Sequence, residues 1–198
     1  KIVQLCTYRL PQRFGYSPME DIQILTPMYK SAVGADQLNV ILGNALNPAG
    51  KSIKYGYQQY KINDKVMQIR NNYDKDVFNG DIGNIKEIDH EEQVVRILFY
   101  RRLVEYEFSE LNELVLAYAI TVHKSQGSEY PVVIIPLLTQ HFLLLQRNLL
   151  YTAITRAKRL VIIVGTAKAL WIAIKNDKTV QRNTFLKERL QALIPLES

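Results

Sequence analysis

Apolar residues are spaced differently in three successive parts of this chain. Ile22–Thr26 alternates like a strand and stops at Pro27, whose missing N–H cannot continue a ladder. Leu38, Ile41, Leu42, Ala45 and Leu46 then recur at helical spacing. That helix should end before Asn47-Pro48, because a residue preceding proline avoids the α region. The opening therefore reads as a strand followed by a helix.

From about Tyr57 to Asn112 the pattern changes to short strands, predicted at Lys65–Ile69, Ile82–Ile88, Val94–Tyr100 and Leu103–Phe108. Turn chemistry separates them, as at Asn79-Gly80-Asp81 and at Asp89-His90-Glu91-Glu92. Such spacing suits a small β-barrel. After Asn112 strand and helix alternate again: a buried strand at Val115–Ile120, another at Val132–Ile135, a helix over Leu143–Ile154, and a third strand at Leu160–Val164 that ends at Gly165. Two closing helices are predicted at Ala167–Ile174 and Gln181–Leu193. The continuous apolar run Leu160–Val164 is what a parallel sheet covered on both faces requires. The predicted fold class is α/β, a parallel-sheet domain in two parts, 1–56 and 113–198, with a small all-β unit inserted at 57–112.

Composition adds limits. With 198 residues and 47% hydrophobic content the chain can bury a sizeable core. No apolar run reaches the roughly 20 residues that cross a bilayer, so no membrane partner is expected. The first residues, Lys1–Gln4, carry neither a signal-peptide pattern nor an initiating Met, and the chain reads as an excised piece of something longer. A single cysteine, Cys6, excludes an internal disulfide, and His90, His123 and His141 lack zinc-ligand spacing; a reducing cytoplasm is the expected location. The net charge of +6 favours an anionic partner, and its distribution is uneven. Residues 61–112 are net acidic by 3 charges, whereas residues 140–198 are net basic by 7.

Two segments carry specific chemistry: Tyr118–Glu129, reading YAITVHKSQGSE, and Gln146–Ala157, reading QRNLLYTAITRA. In these the chain resembles superfamily-one helicases, the first segment being similar to their motif V and the second to their motif VI. The wording of His123–Gly127 is that of the RecD-like branch. Leu25–Lys30 is similar to the family's motif IV, and Phe78–Gly83 to a stretch of the SH3-like barrel that RecD-like members carry as an insertion. The resemblance spans roughly residues 21–171 and implies a RecA-like second motor domain (2A) of the P-loop-NTPase type, interrupted by an SH3-like barrel (2B).

What the resemblance implies fits the chemistry of the residues. Arg156 is the candidate arginine finger, since a planar, permanently charged guanidinium at a helix end can neutralise charge developing on a transferred phosphoryl group. Gly127 and Glu129 fall at ATP-binding positions, the glycine by close backbone approach and the carboxylate by accepting from ribose hydroxyls. Lys30 takes the place of a phosphate-reaching arginine of the UvrD-like branch, supplying charge but no bidentate fork. Thr121, His123 and Ser125 are the candidate contacts to single-stranded DNA. The plain alternatives are helix capping for Thr121 and a satisfied, half-buried imidazole for His123. Gln126 departs from the lysine of the UvrD-like branch, and Arg147 reads as structural. Tyr73 and Phe78 would stack on DNA bases, or else pack in the barrel.

One apparent motif is rejected. Ala45–Ser52, reading ALNPAGKS, satisfies a relaxed phosphate-loop pattern, but alanine replaces its first glycine and a helix precedes it, where a working loop has a strand before and a helix after. It reads as a connecting loop. ATP and Mg2+ are therefore expected to be bound mainly by an N-terminal RecA-like domain of the same parent chain, and this stretch alone would not hydrolyse ATP. Translocation polarity 5′→3′ is implied by the resemblance. The family includes subunits of an exodeoxyribonuclease complex, so nuclease-complex subunits are implied partners, although no carboxylate cluster here would constitute a nuclease site. Two other readings remain at this point: a non-enzymatic binding module that uses the barrel, and an autonomous P-loop ATPase or kinase that depends on Lys51.

Overall fold

In a computed structural model the chain is described over residues 1–139 and 144–177. A helical segment opens it: α1 (Ile2–Gln4), a π turn (Leu5–Arg9) and α2 (Leu10–Phe14). The periodicity reading passed over this segment, which has only a thin buried stripe, Ile2, Cys6 and Leu10. β1 (Ile22–Thr26) and α3 (Ala35–Leu46) follow where expected, α3 stopping at Asn47.

The central sheet is parallel, in the order β11-β10-β1-β9, with β9 (Ala119–Thr121), β10 (Tyr130–Leu137) and β11 (Ala157–Gly165). Ile22, Ile24, Val132 and Ile134 face α3 and the opening helices, meeting Leu38, Leu42, Cys6 and Leu10. Leu25, Val133, Ile135 and Leu137 face the other way, onto Leu150 and Ala153 of α4 (Arg147–Ile154) and Ala169 and Ala173 of α5 (Ala167–Lys175). Both faces are covered along β1 and β10, which are buried almost throughout, whereas β11 ends the sheet order and is only partly buried, with Ile163 exposed. A fully buried leucine such as Leu25 or Leu42 contributes about 1.5–3 kcal/mol.

The inserted unit is a five-stranded antiparallel sheet in the order β7-β6-β5-β4-β8, with β4 (Lys65–Gln68), β5 (Ile82–Asp89), β6 (Val94–Phe99), β7 (Arg102–Glu107) and β8 (Leu114–Leu116). Val66, Ile85, Val95, Ile97, Val104 and Tyr106 form its core. The turn at Asp89 forms as read, its Oδ1 accepting from the N–H groups of Glu91 (2.8 Å) and Glu92 (3.1 Å). A hairpin of β2 (Ser52–Tyr55) and β3 (Gln58–Lys61) closes over this core with Ile53 and Tyr60. The rejected phosphate loop thus runs from α3 into a strand, so no helix N-terminus follows Lys51.

Two expectations need correction. The predicted helix over Leu143–Ile154 starts only at Arg147, with Leu144 and Leu145 in the connection before it; residues 140–143, including His141, and the helix predicted at Gln181–Leu193 lie outside the described residues. The single strand expected at Val115–Ile120 is two strands in two sheets. β8 pairs with β4 of the barrel and β9 with β1 of the central sheet. At the switch, buried amide side chains bond backbone groups between the two ladders. Gln23 donates to the carbonyls of Ala117 (3.0 Å) and Tyr118 (3.3 Å). Asn39 of α3 donates to those of Leu116 and Ala119 (2.9 Å each) and accepts from the Ala119 N–H (2.8 Å). Buried backbone groups need such partners, and periodicity cannot reveal them.

Candidate functional site

Motif V begins where β9 ends. Thr121 leads into a 3-10 turn (Val122–Ser125) whose Val122 is buried in the same cluster as Leu150 and Ala153 of α4. This anchoring leaves His123 and Lys124 exposed. Thr121 occupies the cap position but its side chain makes no capping bond, and His123 is exposed, so both plain alternatives fail. Ser125 is different. It is fully buried and donates its hydroxyl to the Val122 carbonyl at 2.7 Å, so it closes the turn and does not face a DNA strand. That corrects its place among the DNA contacts.

The chain then crosses to the start of β10 through Gly127, at φ +84°, with open space where a Cβ would stand. Glycine is required here by backbone conformation. The stretch Ser128–Tyr130 is tied to Arg156–Lys158 at the start of β11 by three contacts. The Tyr130 N–H donates to the Arg156 carbonyl at 2.8 Å. The Arg156 guanidinium donates from Nη1 to the Ser128 carbonyl at 3.2 Å. Lys158 Nζ lies 3.3 Å from the Glu129 carboxylate. Nε of Arg156 is buried and has no hydrogen-bond partner among the described residues. Arg156 and Glu129, distant in sequence, therefore share one edge of the sheet. Lys158 was missed by sequence reasoning; Arg156 precedes the strand and the β10–β11 register shifts between Tyr130 and Val132, so strand alternation gave no signal for it.

Lys30 stands elsewhere. It is exposed on the loop that leaves the C-terminal end of β1, whereas Arg156 and Glu129 precede the N-terminal ends of β11 and β10. The structure does not bring Lys30 to the other candidate ATP residues. Arg147 opens α4, its N–H donating to the Asn176 carbonyl at 2.8 Å and its exposed guanidinium 3.5 Å from Asp177.

Tyr73 and Phe78 lie on the loop between β4 and β5. They are 76% and 41% exposed and meet edge to face with ring centroids 6.0 Å apart, so neither is barrel core. Asn71 and Asp81 brace the loop, accepting from the N–H groups of Asn79 (3.0 Å) and Phe78 (2.8 Å). Gly80, in the same loop, approaches the Lys124 carbonyl. The aromatic pair thus belongs to a loop that reaches the motif V turn. Among the described residues no group of three His, Cys, Asp or Glu could hold a metal ion, and no helix is long and apolar enough to cross a membrane.

Two family profiles match the chain: a UvrD-like helicase C-terminal domain over residues 116–164, and the SH3 domain of ATP-dependent RecD-like DNA helicases over residues 38–99. It is 37% identical over 171 residues to the ATP-dependent RecD2 DNA helicase of Deinococcus radiodurans, covering 86% of this chain and 24% of that protein. The chain belongs to the RecD-like helicase family. A second RecD-like relative, the RecBCD enzyme subunit RecD of Haemophilus influenzae, is 28% identical over 172 residues, 87% of this chain and 25% of that one. This RecD-like chain therefore spans about a quarter of the length of these relatives. Among solved structures, Pif1 helicase from Bacteroides in complex with ADP-AlF3 and ssDNA aligns with a TM-score of 0.55 at 16% identity, over 96% of this chain and 48% of that one. Pif1 helicase from Candida albicans aligns with a TM-score of 0.53 at 15% identity, over 94% and 51%. At such identities the likeness establishes a shared RecA-like fold for this RecD-like chain.

Proposed function

We propose that this chain is the second motor half of an ATP-dependent DNA helicase that translocates 5′→3′. An N-terminal RecA-like domain of the same parent supplies the phosphate loop and the Mg2+ ligands, and ATP sits between the two halves. Arg156 is the arginine finger, Gly127 and Glu129 receive the nucleotide, and Thr121 and His123 hold backbone phosphates of single-stranded DNA. Lys30, on the opposite edge, would reach a phosphate only through movement of its loop. The isolated chain binds neither catalytic Mg2+ nor the full nucleotide and does not turn over ATP. Nuclease-complex subunits are partners of the parent where it works in such a complex.

The observation that carries this reading is the joining of motif V to motif VI. Bonds from Arg156 and Tyr130 fasten the two segments together, so a guanidinium and a ribose-binding carboxylate move as one unit when the cleft closes. The turn at residues 122–125 lies between that unit and β9, which links nucleotide state to grip on DNA. Mg2+ with ATP would offset charge on the phosphates, and Arg156 would add the charge that the transition state needs.

The test is DNA-stimulated ATPase of the full-length protein carrying Arg156→Ala, with nucleotide and DNA binding measured separately. Turnover should fall about 10³- to 10⁵-fold with both ligands still bound. Unchanged turnover would remove the finger and leave the barrel, with its exposed aromatic pair, as a passive binding module.

A further inference from the structure

Lys158 is the one partner of the three-contact joint that the proposed function leaves without a role. Its ammonium lies 3.3 Å from Glu129, and neither head group makes another hydrogen bond or ion pair among the described residues. The register explains the meeting. Tyr130 and Ala157 are paired across β10 and β11, so Glu129 and Lys158 flank that pair diagonally, one residue before it and one after. Both side chains line a cleft of about 340 Å3 with Gly127 and Ser128, and Gly80, Ile82 and Tyr100 of the barrel form its other wall.

We infer that Lys158 is a positioning residue of the nucleotide site, holding the Glu129 carboxylate in the orientation that accepts the ribose hydroxyls. The inference rests on the reading of Glu129 as the ribose ligand. A glutamate has three side-chain torsions, and a free one must be ordered when the sugar binds. Lys158 restricts that freedom before the nucleotide arrives. The pair is more than half exposed on both sides, so solvent screens it and its effect is modest. Such an effect belongs to ground-state binding of the sugar, remote from the transferred phosphoryl group, and so appears in KM and not in kcat.

The experiment is steady-state ATPase of the full-length protein at saturating single-stranded DNA, comparing wild type, Glu129→Gln, Lys158→Met, Lys158→Arg and the double variant Glu129→Gln/Lys158→Met. Lys158→Met should raise KM for ATP about two- to fivefold, the scale of an exposed ion pair, with kcat within about twofold of wild type. Lys158→Arg should restore KM, and the double variant should be no worse than Glu129→Gln alone. An unchanged KM in Lys158→Met beside a raised KM in Glu129→Gln overturns the role of Lys158 and leaves the ribose reading standing. Additive losses in the double variant overturn it differently, by showing that Lys158 meets the nucleotide itself. If Glu129→Ala, made because glutamine keeps an acceptor oxygen, leaves KM unchanged, the ribose reading fails and the positioning role fails with it.

Discussion

Replacing Asp64 by alanine removes the centre of the polar seam between the barrel and the parallel-sheet domain. Asp64 is 2% exposed, and its carboxylate accepts three hydrogen bonds of 2.7 Å. They come from Asn47 Nδ2 at the end of α3, the Lys61 N–H at the end of β3, and the Tyr118 hydroxyl at the switch between the two sheets. Burial, followed by the nearby Asp64 charge, pushes the Tyr118 phenol up, so it stays protonated and donates. Each bond to a charged acceptor is worth about 1.5–3 kcal/mol net, but the three share one desolvated carboxylate and do not add. Asn47 keeps a second acceptor in the Ile62 carbonyl at 2.9 Å, which lessens its loss. A destabilisation of about 3–5 kcal/mol follows, large against the 5–15 kcal/mol typical of a domain. Urea unfolding of the 198-residue chain, followed by circular dichroism and by tyrosine fluorescence, measures it. Because Tyr118 stands three residues before Thr121, the variant should also weaken DNA binding by the full-length protein. A loss below about 1 kcal/mol would refute the reasoning, since the carboxylate would then recover no more than its own desolvation cost.

Two further outcomes test other parts of the structure. Burial pulls the Lys65 ammonium down to about 8 from an ordinary 10.5, so above pH 8 the unfolded chain binds the extra proton and stability should rise with pH; the buried Cys6 thiol, pushed up to about 12 from 9.0, opposes this above pH 9. Unfolding free energies between pH 8 and 9 should therefore climb more steeply in wild type than in Lys65→Met, and equal slopes would mean that the lysine does not titrate there. Tyr73→Ala and Phe78→Ala should each weaken binding of single-stranded oligonucleotides to the full-length protein by about 1–3 kcal/mol, whatever the base sequence. Fluorescence anisotropy measures this, and the melting temperature should hardly move because both rings are exposed; unchanged affinity would place the DNA path away from this loop.

Much of this architecture was legible in the chain itself. The apolar runs in β10 and β11 announced strands of a parallel sheet, β1 was read from its alternation and the proline after it, and β4 to β7 lie between turns whose residue types are locally determined. Both are short-range signals, a period of apolar positions and a turn chemistry. Arg156, Glu129, Thr121 and His123 were readable only through the resemblance of their two segments to helicase motifs V and VI. Tertiary structure decided what depends on distant partners. Leu114–Leu116 and Ala119–Thr121 have the same apolar character, and only pairing with β4 or with β1, fixed by the amides of Gln23 and Asn39, sends them to different sheets. The hairpin β2–β3 is too polar to signal itself and exists because Ile53 and Tyr60 cover the barrel core. Ser125 looked like a ligand until packing turned its hydroxyl inward, and Lys158 looked like any surface lysine until the register of β10 and β11 brought it to Glu129. Local patterns determine which elements form, because a residue's period and turn chemistry act over a few neighbours. Which elements meet, and so which side chains share a site, is set by the burial of polar groups that need partners far along the chain.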